Sequence, residues 1–232
     1  MNIKIKFGID FELRRVKNTL AKSDWYDSQG YKSKLPEGIN DKSSQKEIQS
    51  QVVKEFDEKK YKERANQILS DFLTTKEQFS KKLKEIFNKD IPTTFFVYLT
   101  NYGVNGSYNL PNIIIFNINS KRGFKTIIHE IIHLLIEDWI QEYRIQHWEK
   151  ERIVDLILNS KEFSFLEYNN WRRDYNGVEK YIDDLFNNHF FKDPKNFFSK
   201  IATTPWGVFV SVNFDKISSE IISRRAPFFF AR

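Results

Sequence analysis

His129-Glu130-Ile131-Ile132-His133 sets two imidazoles four residues apart with a carboxylate between them. An α-helix turns about 100° per residue, so positions i and i+4 return to nearly one face and both rings can reach a single metal ion. Glu130 is badly placed to ligate that ion. It is well placed to take a proton from a water that the ion activates, which is what metal-assisted hydrolysis requires. The chain has four histidines and no cysteine, so a site here is built from nitrogen and oxygen ligands, a set that suits zinc. The competing interpretation is a pair of surface histidines on an amphipathic helix. The flanks, Thr126-Ile127-Ile128 and Leu134-Leu135-Ile136, are apolar on every side and describe a buried helix instead. Buried imidazoles and a buried glutamate are costly unless they are paired or bound to metal.

Residues 126–135 resemble the extended signature of zincin metallopeptidases. Thr126 stands three places before the first histidine, Ile127, Ile131 and Ile132 keep the motif uncharged, and Leu134 and Leu135 follow the second histidine. A catalytic zinc site has three protein ligands and one open position, so a third ligand is needed. The metzincin branch places Gly and His three and six residues after the motif, where this chain has Ile136 and Trp139, and that branch does not fit. The gluzincin branch uses a glutamate on a following helix, with an aspartate four residues later supporting the first histidine. Glu151-Arg152-Ile153-Val154-Asp155 supplies that pattern, and the resemblance implies Glu151 as metal ligand and Asp155 as the group that orients His129. His147, Glu149 and Glu142 are rivals for the third position. The plainer alternative makes Glu151 and Asp155 surface charges beside Lys150 and Arg152.

The resemblance also implies a donor beside the metal that stabilises the tetrahedral oxyanion of amide hydrolysis. His189 and Tyr181 are the candidates, with Tyr175 and Arg172 behind them, in an aromatic-rich region that includes Phe163, Phe165, Tyr168, Phe186, Phe190, Phe191, Phe197 and Phe198. No motif singles one out.

The elements that must carry these groups can be read from patterning. Met1 to Phe7 alternates apolar and polar residues like a strand and lacks the apolar stretch of a secretory signal. Phe11 to Leu20 fits a short helix, and Ala21 to Ser44, rich in Ser, Lys, Asp and Gly, a mobile polar loop. From Gln45 to Asn88 apolar residues recur at helical spacing, with a break expected near Thr74-Thr75, where Thr75 can cap a second helix. Phe95–Leu99 and Ile113–Phe116 read as strands separated by a loop rich in Asn, Gly and Tyr. The resemblance makes Asn112 to Asn117 the sheet edge along which an extended peptide docks, the alternative being that this strand is simply interior. Trp206 to Val212 fits a further strand and Lys216 to Arg225 a closing helix.

A chain of 232 residues with 40% hydrophobic and 16% aromatic residues can bury a substantial core. The net charge is +6 and the pI about 9.2. Lysines are interleaved with Asp and Glu through Lys54–Arg64 and Lys76–Lys89, the pattern of solvated helix faces, so nucleic acid is not an expected partner. No apolar run approaches the roughly 18 residues of a membrane span, and a cytoplasmic location follows by default.

The expectation is therefore an α+β, zincin-like domain. It has a small mixed or antiparallel sheet, the motif on an active-site helix, Glu151 on a second helix and an N-terminal helical part. Residues 1–90 would form the N-terminal strand, polar loop and helices, and residues 91–232 the metallopeptidase domain, the two being continuous or separate. The function would be zinc-dependent hydrolysis of a peptide or protein substrate, with His129, His133 and Glu151 on Zn2+ and Glu130 as general base. Two alternatives stand beside it. One is an inactive zincin-fold module that recognises a protein partner. The other is a peptidase specific for one protein, like the phage-repressor-cleaving group, which the stretch from Ile113 to Ile136 also resembles.

Overall fold

The computed structural model describes residues 1–169, 175 and 177–203, and within them the protein is mixed α+β with one small sheet and a majority of helix. The strands are β1 (Asn2–Lys6), β2 (Thr94–Thr100), β3 (Gly106–Asn109) and β4 (Ile113–Asn117), in the order β1-β2-β4-β3. β1 and β4 run parallel to β2, whereas β3 is antiparallel to β4. Register explains the core face: Ile3 lies opposite Phe95, Val97 opposite Ile114 and Leu99 opposite Phe116, and all six are buried.

Eight α-helices complete the described residues: α1 (Ile9–Leu20), α2 (Ser23–Ser28), α3 (Gln45–Glu55), α4 (Glu58–Phe87), α5 (Phe124–Glu142), α6 (His147–Asn159), α7 (Glu179–Leu185) and α8 (Pro194–Thr203). A 3₁₀ segment, Lys161–Leu166, follows α6, and a single π-helical turn, Phe186–Phe190, follows α7. The chain clusters into two compact units. One comprises Met1–Glu137 with Val154–Arg172 and the other Asp138–Ile153 with Arg173–Arg232, each as far as its residues are described. The first holds the sheet. Its polar centre is Glu12, which accepts hydrogen bonds from the Tyr61 hydroxyl, from Thr100 Oγ1 at 2.7 Å and from the Asn101 amide at 2.8 Å. Burial holds the Glu12 carboxyl above its ordinary range despite these donors and nearby Arg15. The second unit is built on aromatic packing, with Phe186, Phe190 and Phe197 in mutual ring contact and Phe198 between Phe197 and Trp139.

Three expectations about the elements need correction. The segment from Ala21 to Ser44 is not simply a mobile loop. It carries α2, and Lys34 exchanges both backbone hydrogen bonds with Gly103, at 3.1 and 2.7 Å. Leu35 and Ile39 pack on the cluster of Val16, Ile48, Val52 and Tyr102, a tertiary anchorage that leaves no periodic trace in sequence. The helical break falls at Phe56-Asp57 rather than Thr74-Thr75. Asp57 caps α4 by accepting from the Lys59 and Lys60 amides, while the Thr74 and Thr75 hydroxyls bond back to carbonyls of Asp71 and Phe72 inside one 30-residue helix. Lastly, β4 is an interior strand. The Asn- and Gly-rich stretch before it supplies β3, which covers the edge that Asn112 to Asn117 was expected to expose. The strand and helix expected at 206–212 and 216–225 lie outside the described residues.

Replacing Thr75 with Pro tests the continuity of α4. It should cost about 3 kcal/mol or more in denaturant unfolding if the helix runs through that position. Asp57→Ala should cost only about 1 kcal/mol, the worth of a cap.

Candidate metal centre

The motif lies wholly within α5, whose Ile127, Ile128, Ile131, Ile132, Leu134, Leu135 and Ile136 are all buried. Because apolar residues surround the helix on every side, the polar members of the motif are enclosed with them. His133 is 1% exposed, Glu130 7% and His129 9%. The Nε2 atoms of His129 and His133 face each other at 2.9 Å, so only one of them can carry a proton at a time.

Helix α6 adds the third group. His129, His133 and Glu151 each offer a ligand atom, and these atoms lie within 4.8 Å of one another. Four ligands held tetrahedrally at 2.0–2.2 Å stand about 3.3–3.6 Å apart, so small side-chain adjustments would let these three donors close on one ion. Two nitrogens and one carboxylate oxygen form the donor set expected for zinc. Among the described residues this is the group that could hold a metal, and it does not include the rivals. Glu142 ends α5 and pairs with Lys195 at 3.5 Å. His147 opens α6 with its ring against Trp148. Glu149 is buried and accepts from the Gln146 amide at 2.7 Å and from the Tyr181 hydroxyl.

Asp155 stands one turn beyond Glu151, with Oδ1 3.4 Å from His129 Nδ1. Tyr168 lies between them in hydrogen-bonding terms. Its hydroxyl is 2.7 Å from His129 Nδ1 and donates to Asp155 Oδ1 at 3.0 Å. A hydroxyl that donates to the carboxylate must accept from the ring, which places the His129 proton on Nδ1 and leaves the Nε2 lone pair facing His133 and Glu151. The sequence points to Asp155 but not to Tyr168, which sits 13 positions further on in no recognisable motif.

Strand β3 touches the motif from the other side. A Cβ at Gly106 would overlap Glu130 Oε1 and meet Thr126 Cγ2 at 2.7 Å, so with any other residue here the carboxylate, Thr126 or the strand must shift. Two residues along, on the same face, the Tyr108 ring stacks on His133 with centroids 5.2 Å apart. Its hydroxyl donates to Glu137, one turn beyond His133, at 2.5 Å. Neither residue stands out in the sequence, because contact with α5 depends on the unforeseen β3.

The candidate oxyanion donors have these surroundings. The Tyr181 hydroxyl is engaged by Glu149; burial and that carboxylate push its pKa well above the usual tyrosine value. Burial likewise raises Glu149, against the lowering effect of Tyr181 and the Gln146 amide. His189 is half-buried on the π-helical turn. Tyr175 is buried beneath the Arg152 guanidinium, 5.1 Å from the ring centroid, and Arg172 lies outside the described residues. Comparison with known proteins gives no match, whether to a protein-family model, to a curated protein or to a solved structure. The local geometry is therefore the basis for any functional reading.

Two substitutions probe this arrangement. Tyr168→Phe removes the bridge to Asp155 and should weaken divalent-metal affinity about 10- to 100-fold in competition with a chelating dye. Gly106→Ala should cost roughly 1–3 kcal/mol in chemical denaturation, because either strand or carboxylate must move.

Proposed function

We propose that this protein is a zinc-dependent peptide hydrolase of zincin-like architecture, with Zn2+ held by His129, His133 and Glu151. The observation that carries the proposal is the convergence of those three side chains from α5 and α6, with Glu130 buried beside them. When bound, zinc supplies Lewis acidity to the scissile carbonyl and brings the pKa of the attacking water toward about 7.

The chain's own residues do the rest. Asp155 and Tyr168 keep the His129 proton on Nδ1, so that Nε2 is free to ligate. A Glu130 carboxylate oxygen takes one proton from the attacking water as its oxygen bonds to the carbonyl carbon. As the C–N bond breaks, the same carboxyl passes that proton to the departing amine nitrogen. The apolar wall of α5 keeps bulk water from competing for Glu130, and the Gly106 backbone confines the carboxylate on its strand side.

Among the described residues β3 is the sheet edge beside these groups, and it replaces Asn112 to Asn117 as the proposed peptide-docking strand. An extended peptide adding to Gly106–Asn109 would gain main-chain hydrogen bonds next to Glu130 and His133. Among the described residues no helix is long and apolar enough to cross a membrane.

Glu130→Gln should retain stoichiometric zinc while peptide cleavage falls by at least about 10³-fold, assayed by mass spectrometry on a diverse peptide library. Cleavage by the zinc-loaded Glu130→Gln protein at the wild-type rate would contradict the assignment of the base. Zinc binding without cleavage in the wild type would favour the inactive recognition module.

A further inference from the structure

Glu149-Lys150-Glu151-Arg152 looks in sequence like a solvated run of charge, yet its first and last members are 4% and 8% exposed. On a helix Glu149 and Arg152 are about 60° apart, whereas Glu151 points about 160° from Glu149 and about 100° from Arg152. The face carrying Glu149 and Arg152 is gripped by α7. Arg152 Nε and Nη2 donate to the two carboxylate oxygens of Asp183 at 2.8 and 2.5 Å, a bidentate pair of the strong kind. The Tyr181 hydroxyl donates to Glu149, and the Tyr175 ring lies under the Arg152 guanidinium. Two residues of α7, spaced by two, thus hold two residues of α6 that bracket Glu151.

We infer that α7 is a positioning clamp for the proposed metal ligand, with Asp183 and Tyr181 setting the rotation of the first turns of α6 and, through it, the direction of Glu151. The lever arm shows why such a device matters. With side chains extending about 5–6 Å from the helix axis, a 20° rotation displaces a carboxylate by about 2 Å. Metal–ligand distances tolerate only about 0.2 Å. Glu151 lies between the two anchored residues in sequence, so the rotation that they fix is the rotation that aims it. Arg152 is the stronger anchor because its planar fork fixes orientation as well as distance.

This inference rests on the metal-binding reading, and a mutant cycle separates the two. Co(II) is titrated into metal-free full-length protein, with affinity measured by dye competition and ligand geometry read from the visible absorption bands. Asp183→Asn should weaken Co(II) binding at least 10-fold and alter the band intensities, with Asp183→Glu restoring affinity to within about 3-fold. Introduced into Glu151→Ala, Asp183→Asn should change affinity less than 2-fold, because the clamp then has no ligand to position. Tyr181→Phe should act in the same direction with a smaller effect, and serves in the cycle should Asp183→Asn not fold. The Asp183 side chain is 34% exposed, which favours folding of the variant. An equal loss in both backgrounds, or none in either, overturns the clamp while leaving the metal site intact. Failure of the wild type to bind Co(II) overturns the metal reading and the clamp with it.

Discussion

Two imidazoles and a carboxylate sit within a stretch of α5, residues 127–136, that is otherwise apolar and buried, and the cost of desolvating them governs the surrounding structure. Left unpaired, each such group would forfeit several kcal/mol of hydration. The His129 ring meets that demand through Tyr168 and Asp155, and its Nε2 atom faces His133. Around Glu130 strand β3 comes so close that a Cβ at residue 106 would push on the carboxylate and on Thr126. Those groups are kept poised at one point, where their charge and lone pairs can serve a bound ion, and the packing on either side of α5 follows from holding them there.

The sheet and the second helix answer that need in different ways. A parallel core of β1, β2 and β4 buries Phe95, Val97, Leu99, Ile114 and Phe116 and gives the first unit its rigid floor. β3 is short and poor in apolar residues, and as a strand it is held by β4 and by Tyr108, whose ring lies over His133. Among the described residues β3 ends the sheet, the position from which the proposed peptide would pair. Helix α6 divides its faces between tasks. Glu151 and Asp155 share one, while Glu149 and Arg152 are held from α7 on another.

The part of the site legible in sequence is the part that helical periodicity encodes. His129 with His133, and Glu151 with Asp155, are each four apart, and linear spacing maps directly onto a shared face. What depends on tertiary contact left no such trace. Tyr168 reaches His129 from a segment after the 3₁₀ turn, and Tyr108 reaches His133 from a strand whose Gly-Ser-Tyr-Asn sequence lacks apolar alternation. Burial of Glu149 and Arg152 was hidden because each looked like part of a solvated charge run. In the fold, the apolar strands were plain. The break in the long helical stretch was misplaced because a threonine hydroxyl can bond back within a helix as readily as cap one, and only the surroundings decide which.

The central claim is that His129, His133 and Glu151 hold one ion together. The most direct measurement is elemental analysis of protein purified without chelators or metal-affinity steps, comparing the wild type with Glu151→Ala and His147→Ala. One zinc per wild-type chain is expected, with its loss on substitution of Glu151 and its retention on substitution of His147. Retention of full zinc without Glu151, or no stoichiometric metal in the wild type even after reconstitution, would contradict it.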